Sequence, residues 1–565
     1  MFEQILNNAN QKWNELNSSS NIWIRIGYGA SGQAAGADDV FNEFNKLAND
    51  NKNVSVSFVG SMGLSYAEPL VDFTYSDGLR IFYNNVDKEK AKLIYDSHVN
   101  NNQINNDLVF GQIAPNNSQP ISGVPQIDKE KPLSLTKRIA TENCGNISPT
   151  DINQYIANGG YEALNRALND LDPEKTLNMV KDSGLRGRGG AAFSTGVKWS
   201  FLANNSSDRK YVLVNCEEGD PGAFNDKGIL ENDPHMLLEG LILCGYATGS
   251  SNGHIFIRDG HEIPIENSRK AIQQAYDLNL LGNNILGTGF SFDVEVSLTG
   301  DSYVAGEETA LMEAIEGKRS MPRFKPPFPA VSGLWGKPSN INNVKTLSYV
   351  PFIVKNGSES YKNIGSETSS GTAIVCLSGH IKRPGMYEIE MGMTINDLLL
   401  NIGGGFPSRY RGGVPDLNEI CHEITKALYL HFGSSVPRII AEPGRYIAGD
   451  AGVIEAEVVL VSQKRHGGRR WVYVDIGKFG GLIETMGEAI RYKIETTRDG
   501  GATGPVVLAG PTCDEMDVLY DFSGYQLPLD LQEGDKIRFL SAGPSTESYS
   551  STGFNGFPPL REYYI

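Results

Sequence analysis

The stretch from residue 184 to residue 228 holds the residue types best suited to binding a phosphorylated ligand. It opens with GLRGRGGAAFSTGVKW, in which closely spaced glycines and two arginines precede Lys198. Glycines let the backbone approach a ligand and present consecutive N–H groups to anions. Arginine and lysine side chains pair with phosphate. The pattern indicates an anion-binding loop, although spacing alone leaves an ordinary glycine-rich turn as the alternative.

The second half of this stretch adds carboxylates directly after a predicted strand. The apolar run YVLVN at 211–215 is typical of a buried strand, and Glu217, Glu218 and Asp220 follow it. Carboxylates can accept hydrogen bonds from ribose or from the polar atoms of a flavin. The two halves together predict a nucleotide site that follows neither the Rossmann nor the Walker A pattern.

Composition restricts the classes of protein that the chain can represent. Its 565 residues predict several domains, and its formal net charge of −17 argues against nucleic acid or anionic membrane as a main partner. No apolar stretch reaches membrane-spanning length and the N-terminus lacks a basic-then-apolar signal, so we expect a soluble, cytoplasmic protein without membrane insertion. The cysteines form no C-x-x-C pair. This predicts free thiols and no zinc or iron–sulfur site.

A second block, SYVAGEETALMEAIEGKRSMPRFKPPFPAVSGLWGKPSNINNVKT at 302–346, reveals a family resemblance. With the first block it resembles the FMN- and NADH-binding subunit of respiratory complex I and the beta subunit of NAD-dependent formate dehydrogenases. The resemblance covers roughly residues 20–405. It implies FMN and NAD as cofactors and hydride transfer between them. It also implies partner subunits, namely the iron–sulfur and catalytic subunits of a formate dehydrogenase or hydrogenase-like complex.

The resemblance also implies roles for individual residues. Glu308, expected nearest the nicotinamide, and Glu218 are the implied catalytic residues. Phe193 and Phe328 are expected to sandwich the adenine of NADH, with core packing as the alternative for a lone phenylalanine. The remaining implied cofactor-binding residues are Gly187, Arg188, Gly189, Gly190, Lys198, Asn215, Glu217, Asp220, Tyr303, Gly306, Glu307, Asn342 and Asn343. Glu218 and Glu308 belong to the cofactor-binding set as well.

The chain around these blocks divides into further predicted domains. The β-α-β-β-α order predicts a thioredoxin-like domain at 1–110. Its loops GYGASGQAAGA and VGSMGLSYAEPLV lack the cysteines that hold a two-iron cluster in many such domains, so we expect a docking element without a cluster. A linker and lead-in at 111–150 precede the FMN/NADH-binding domain at 151–365. Residues 366–405 resemble a β-grasp domain that is cut short, and the four-iron module that follows it in the family is missing.

The tail resembles a different family. IIAEPGRYIAG, VVLAGPTCDEMDVLYD and LQEGDKIRFLSAGPSTESYSSTGF resemble the C-terminal half of fold-type III, PLP-dependent decarboxylases of ornithine, lysine and diaminopimelate, over roughly 403–565. This implies a partial barrel and a β domain at 406–565 and a homodimer contact. The residues of the implied PLP-type site are Gly404, Gly405, Glu442, Gly444, Arg445, Cys513 and Asp514. No counterpart of the Schiff-base lysine is found, and Ser545 stands where a tyrosine is expected.

The chain is predicted to be an α/β multidomain protein, and the two resemblances leave three functions open for it. We favour an NADH-oxidising flavoprotein subunit whose electron-exit module is missing, because the nucleotide site is complete in the sequence. One alternative is an inactive fragment of a basic amino acid decarboxylase, the only case in which PLP is expected. The other is a non-catalytic fusion of two enzyme halves.

Overall fold

The computed structural model describes most of the chain. The described residues are 1–115, 118–130, 132–220, 222–300, 302–379, 383–393, 400–401, 406–408, 410, 415–432, 439–441, 443–463, 468–544, 558, 560–561 and 563. Two compact units, residues 1–393 and 394–565, make up the chain, and each is described by itself.

A five-stranded sheet follows the N-terminal helix α1 (Phe2–Leu16). Its strands are β1 (Ile22–Tyr28), β2 (Val54–Gly60), β3 (Val71–Thr74), β4 (Arg80–Tyr83) and β5 (Gly111–Ile113). They lie in the order β2-β1-β3-β4-β5, with β1 parallel to β2 and the other pairs antiparallel. The helices of this region are α2 (Ala30–Ala34), α3 (Ala37–Ala48) and α4 (Lys88–Tyr95). The strands and helices predicted here are confirmed, and β3 is an additional strand.

Strand β3 escaped the sequence pattern because it carries a buried charge. Asp72 interrupts the apolar run of β3, and such a residue is rare inside a sheet unless it is paired. The structure supplies two partners, since Arg25 of β1 and Arg80 of β4 contact the Asp72 carboxylate at 2.9 and 2.8 Å. The guanidinium groups outweigh the effect of burial and lower the pKa of Asp72. Cross-strand pairing therefore makes a buried charge compatible with the sheet.

Residues 20–110 are joined to α9 by hydrogen bonds that are at least partly buried. The Ala30 amide donates to the Glu231 carboxylate at 2.9 Å, and the Ser61 amide donates to the Asn232 side chain at 2.6 Å. Helix α1 packs elsewhere, because Phe2 and Ala9 join the core built from the helices that follow residue 139. These contacts attach residues 20–110 to the rest of the first unit. The expected role of this region in docking other subunits stays a prediction.

A four-stranded parallel sheet forms the centre of residues 151–365. Its strands are β6 (Tyr211–Cys216), β7 (Asn252–Arg258), β8 (Asp293–Thr299) and β9 (Ser339–Asn343), in the order β8-β7-β6-β9. The helices around it are α5 (Ile152–Ala157), α6 (Glu162–Asp170), α7 (Pro173–Asp182), α8 (Thr195–Ala203), α9 (Asn225–Asn232), α10 (Pro234–Thr248), α11 (Glu262–Asp277), α12 (Glu308–Ile315), α13 (Val344–Ser348), α14 (Val350–Asn356) and α15 (Ser358–Lys362). The buried strand predicted at 211–215 is confirmed as β6.

Two short hairpins close the first unit. They are β10 (Gly365–Ser366) with β11 (Ser369–Ser370), and β12 (Thr372–Leu377) with β13 (Gly385–Glu390). The buried Glu388 carboxylate fixes the second hairpin to the lead-in, since it accepts hydrogen bonds from the amides of Ile139 and Thr141 at 2.9 Å. The resemblance of residues 366–405 to a β-grasp domain stays a prediction, because residues 380–382, 394–399 and 402–405 fall outside the described residues.

The second unit centres on a seven-stranded sheet. Its strands are β16 (Ile454–Gln463), β17 (Arg470–Val474), β18 (Ile494–Thr496), β19 (Thr503–Ala509), β20 (Val518–Tyr520), β21 (Gln526–Pro528) and β22 (Lys536–Phe539). Before it come β14 (Leu400–Asn401) paired with β15 (Ile439–Ile440), and the helices α16 (Leu417–Phe432) and α17 (Gly444–Gly449). These strands agree with the expectation of a β domain in this tail. The second unit has an apolar core of its own, which includes Val458, Leu508 and Phe539 of this sheet.

Candidate functional site

The candidate site lies at the carboxyl edge of the parallel sheet. Strands β6 and β9 run side by side and end with Asn215 opposite Asn343, and open α/β sheets bind ligands at this edge. The two sequence blocks meet here. The Asn215 amide group donates to the Gly306 carbonyl at 2.8 Å, and the Tyr303 hydroxyl donates to Asp220 at 2.9 Å.

The glycine loop forms an open cradle beside this edge. The Gly187 amide donates to the Phe193 carbonyl at 2.8 Å, which folds residues 187–193 into a closed loop. Gly189 packs so closely that a Cβ would lie 3.0 Å from the Cβ of Asn343. Gly190 has a φ of +119°, and no heavy atom lies within 4 Å of the position that its Cβ would take. Glycine at residue 189 therefore allows the loop to pack against Asn343, and the loop leaves free space beside Gly190.

Arg188 anchors the cradle from behind. Its guanidinium donates to the carbonyls of Ser370 and Thr372 at 2.7 and 3.0 Å, and its backbone amide donates to the Thr346 hydroxyl at 2.9 Å. These contacts join the loop to the β11–β12 region and to α13. The guanidinium is thus held by two protein carbonyls, and its expected contact with a phosphate stays a prediction.

Glu217 lies at the end of β6 in a buried ion pair. The Arg258 guanidinium at the end of β7 donates to its carboxylate at 2.8 Å. Burial raises the pKa of Glu217 against the lowering effect of this guanidinium. Gly306 packs closely beside the pair, since a Cβ there would lie 3.0 Å from a Glu217 oxygen. The carboxylate is thus held rigidly at the rim of the site.

Glu218 points away from the rim and into the first turn of α9. Its oxygens accept hydrogen bonds from the backbone amides of Asn225, Asp226 and Lys227 at 2.8, 2.9 and 2.8 Å. The residue has a φ of +28°, which is unusual for a residue with a side chain and is typical of functionally constrained backbone. Burial, together with the Asp226 carboxylate, raises the pKa of Glu218. This arrangement is that of a helix cap, and the catalytic role expected for Glu218 stays a prediction.

A lysine that the sequence analysis did not single out connects the acidic residues of the second block. Lys325 donates to Glu308 at 2.6 Å and to Glu307 at 3.1 Å. Although burial lowers the pKa of Lys325, these hydrogen bonds outweigh it and raise the pKa overall. Glu307 also caps α12 by accepting from the Thr309 and Ala310 amides. The Glu308 carboxylate is therefore fixed between cations.

Lys198 approaches the same carboxylate from α8. Its ammonium donates to the Ile341 carbonyl at 2.7 Å and lies 3.7 Å from Glu308. Burial lowers the pKa of Lys198 and the neighbouring Glu308 opposes this effect. The glycine cradle and the second block thus share one charged cluster, Lys198, Glu308 and Lys325.

The two asparagines at the end of β9 differ in what they can offer a ligand. Asn342 is buried, accepts from the Trp199 indole at 3.2 Å and donates to Asn340 at 2.8 Å. Asn343 caps α13 by accepting from the Lys345 amide, and it donates to Asp226 at 2.7 Å. Asn342 therefore supports the sheet from inside, and Asn343 stands at its edge.

Three aromatic side chains of the two sequence blocks are left half-exposed. Phe193 is 50% exposed, Phe328 is 60% exposed and Tyr303 is 57% exposed. Such surface is unfavourable in water and is typical of ligand sites. Their exposure argues against the core-packing alternative for Phe193 and Phe328.

Comparison with known proteins agrees with this geometry. Residues 180–352 match the Nuo51 FMN-binding domain. The chain is 46% identical over 270 residues to the HndC subunit of the NADP-reducing hydrogenase of Solidesulfovibrio fructosivorans, covering 48% of this chain and 55% of that protein. It is 45% identical over 259 residues to an NADH-quinone oxidoreductase subunit of Rhizobium meliloti, covering 46% and 62% respectively. It is 44% identical over 258 residues to the corresponding NADH-quinone oxidoreductase subunit of Escherichia coli, covering 46% and 58%.

These matches confirm the predicted resemblance to the complex I flavin subunit. The chain spans about 55–62% of the length of these relatives. The residues present also fit a flavin nucleotide, since the cradle has free space beyond Gly190 and half-exposed aromatic rings beside it. The cofactor-binding residues themselves remain predictions.

Four residues at the candidate site were not predicted from the sequence. Arg258 follows the buried run HIFI at the carboxyl end of β7, so strand order could have identified it. Lys325 precedes the proline pair of the second block. Asp226 and Lys345 form an ion pair of 3.1 Å between α9 and α13, which only the three-dimensional packing reveals.

The second predicted resemblance is confirmed by a separate match. Residues 364–449 match the family described as pyridoxal-dependent decarboxylase, pyridoxal binding domain. The matched region begins earlier than the expected residue 403 and overlaps the segment assigned to a β-grasp domain. Of the predicted PLP-type residues, Gly404, Gly405 and Glu442 lie outside the described residues, as do Gly403 and Ser545.

The described residues of the PLP-type set are engaged by neighbouring protein groups. Arg445, next to Gly444 in α17, donates to the Glu484 carboxylate at 2.8 and 2.5 Å and to the Tyr410 hydroxyl at 3.2 Å. Asp514 accepts from the Met516 amide at 2.8 Å, and Cys513 is exposed. A phosphate at Arg445 would have to displace Glu484, so these side chains do not fit PLP in the arrangement observed.

Membrane spans and metal sites can be assessed over the described residues alone. Among them, no helix is long and apolar enough to cross a membrane. The same part of the chain contains no group of three or more His, Cys, Asp or Glu side chains arranged to hold a metal ion. The predicted lack of an iron–sulfur cluster stays a prediction.

Proposed function

We propose that this protein is an NADH-oxidising flavoprotein subunit. The observation that carries the proposal is the convergence of both sequence blocks at the carboxyl edge of the parallel sheet, through the Asn215–Gly306 and Tyr303–Asp220 hydrogen bonds. The glycine cradle adjoins this edge at Asn343, and the charged cluster adjoins it at Ile341. The match of residues 180–352 to an FMN-binding domain supports the same function.

In this function the residues act by binding and orienting two nucleotides. FMN, when bound, accepts a hydride from NADH and releases the electrons singly. The backbone of residues 187–190 faces the flavin nucleotide, and Arg188 keeps the loop in place from behind. Phe193 and Phe328 receive the adenine of NADH. Glu308, fixed by Lys325 at 2.6 Å, lies beside the nicotinamide and accepts hydrogen bonds from it. Holding both rings in contact supplies much of the rate enhancement.

The partners follow from the same proposal. The relatives are subunits of NADH-quinone oxidoreductases and of a hydrogenase, and we propose that this chain docks with iron–sulfur and catalytic subunits of a formate dehydrogenase or hydrogenase-like complex in the cytoplasm. On its own it passes electrons to soluble acceptors such as dyes, quinones or oxygen.

An anaerobic titration of the purified full-length chain with NADH tests the proposal. We expect bound FMN to lose its visible absorbance on addition of NADH and to regain it when a dye is added. NADPH is the matched comparison and should react more slowly. A chain that carries FMN but whose absorbance is unchanged by either nucleotide would contradict the proposal.

The adenine clamp gives a second test. Phe328→Ala should raise the KM for NADH about 10-fold through loss of one stacking surface of about 1–1.5 kcal/mol, with kcat nearly unchanged. Because Phe328 is largely exposed, the melting temperature should not move. Phe522→Ala, which removes an aromatic ring that is 89% exposed in the second unit, is the control and should leave KM unchanged. If Phe328→Ala instead lowers kcat about 10-fold and leaves KM unchanged, Phe328 does not contribute to NADH binding.

We propose that the C-terminal region does not act as a decarboxylase. The motivating observation is the Glu484–Arg445 pair, which occupies the guanidinium expected to hold the phosphate of PLP. Borohydride reduction in the presence of PLP distinguishes the two functions, because it traps only a lysine–PLP adduct. No PLP should become attached to residues 394–565.

A further inference from the structure

A cavity of about 300 Å³ lies inside the first unit, away from the glycine cradle. Its walls come from the two cysteine-free loops after β1 and β2, from α9 and from the β12–β13 hairpin. This volume is at the lower end of the range for small-molecule sites. The proposed flavin and NADH site makes no use of it.

One wall of the cavity carries a cation and two hydroxyls. Lys227 of α9 lines it, its ammonium forms no hydrogen bond with a described side chain, and its charge lowers the pKa of Glu231 against the raising effect of burial. The hydroxyls of Ser31 and Ser65 line it as well and likewise have no hydrogen-bond partner within the described part of the chain. Together they form a cationic and hydroxyl surface suited to a carboxylate.

The opposite wall is apolar. Phe224, Leu377 and Met386 contribute it, and Gly228 of α9 allows close packing because a Cβ there would lie 2.8 Å from the Met386 sulfur. Aromatic and thioether groups pack well against flat rings. The cavity therefore has one end for a charged group and one end for an apolar body.

Charge restricts the ligand further. Glu231 also lines the cavity, and it already accepts a hydrogen bond from the Ala30 amide at 2.9 Å. With one cation and one carboxylate on the walls, a second negative charge on the ligand would be repelled. A phosphate dianion is thus disfavoured relative to a monocarboxylate.

We propose that this cavity is a binding site for a small organic acid with a single carboxylate and a flat apolar body. The carboxylate contacts Lys227, Ser31 and Ser65, and the body packs on Phe224 and Met386. The site is independent of the proposed flavin function, and it occupies the place where the thioredoxin-like loops meet α9.

Fluorine NMR of 4-fluorobenzoate with the full-length chain tests this site. We expect saturable broadening of the fluorine signal in the wild type, and weakening of binding by roughly 10- to 100-fold in Lys227→Met through loss of a charge-assisted hydrogen bond. Lys227→Arg should retain binding. The neutral 4-fluorobenzyl alcohol should bind more weakly than 4-fluorobenzoate. Inorganic phosphate should not displace 4-fluorobenzoate from the cavity.

The controls separate binding at this cavity from binding elsewhere. Ser65→Phe fills the cavity and should abolish the broadening, while Lys88→Met, which removes a surface lysine paired with Asp39 at 3.0 Å, should not change it. Matching melting temperatures establish that each variant is folded. The absence of broadening in the wild type at millimolar probe, undiminished broadening in Lys227→Met or Ser65→Phe, or displacement by phosphate would each overturn the proposal.

Discussion

The Glu218→Ala variant is expected to lose most of its bound FMN and to have the free energy of unfolding of its first unit lowered by about 2–3 kcal/mol. The carboxylate accepts from three consecutive backbone amides at the start of α9. Its removal leaves these buried donors without an acceptor. It also removes the side-chain hydrogen bonds that hold the backbone of residue 218 at a φ of +28°. Flavin content and denaturant unfolding of the purified variant measure both effects.

Two matched variants separate this positioning role from the catalytic role first expected for Glu218. Glu218→Gln keeps an oxygen that can accept from part of the amide set, so it should retain flavin and lose about half of the stability lost by the alanine variant. Glu174→Ala removes an exposed carboxylate from the first turn of α7 and should change neither quantity. If Glu218→Ala holds FMN and unfolds like the wild type but loses turnover with NADH, the catalytic role is correct instead.

Raising the pH from about 5 to about 8 is expected to destabilise the first unit through Asp233, by about 3 kcal/mol. Burial raises the pKa of this carboxyl to about 7, with further contributions from Glu239 and Glu142. The unfolded chain ionises near the ordinary value of 3.8. Between these values the unfolded state has released a proton that the folded state keeps, so stability is lost as the pH rises through 7.

The Asp233→Asn variant isolates this contribution. The amide can still accept from the Met236 amide, as Asp233 does at 3.2 Å, and can pair with a reoriented Asn143. Between pH 5 and pH 8, the free energy of unfolding of this variant should fall by about 3 kcal/mol less than that of the wild type. Asp170→Asn, at an exposed position at the end of α6, is the control. Identical pH profiles for the wild type and Asp233→Asn would show that Asp233 is ionised in the folded state below pH 7.

Glu68 should contribute to the pH profile with the same sign. Burial raises its pKa to about 7, against hydrogen bonds from the Ser61 hydroxyl at 2.6 Å and the Leu70 amide at 3.0 Å. Ser61 donates its hydroxyl to Glu68 and its amide to Asn232, the neighbour of Asp233, so the contributions of the two carboxyls are expected to be coupled rather than additive.

The motifs identified the site but not the direction of each side chain. Arg188 was expected to face a phosphate, and its guanidinium instead binds carbonyls of residues 370 and 372, which belong to hairpins far along the chain. A donor-rich side chain takes whichever acceptors the fold brings near it. No local pattern reveals those acceptors, because the position of the hairpins depends on the whole unit.

The sequence by itself determined the strands with regular apolar patterns, the nucleotide site at the carboxyl end of β6 and both family resemblances. These depend on local periodicity and on short-range spacing, which the chain carries wherever it folds. Only the tertiary structure decided that Asp72 lies inside a strand, that Glu218 caps α9 and that Lys325 holds Glu308. The physical reason is that a buried charge or an orphan amide is stable only with a partner, and these partners come from distant segments.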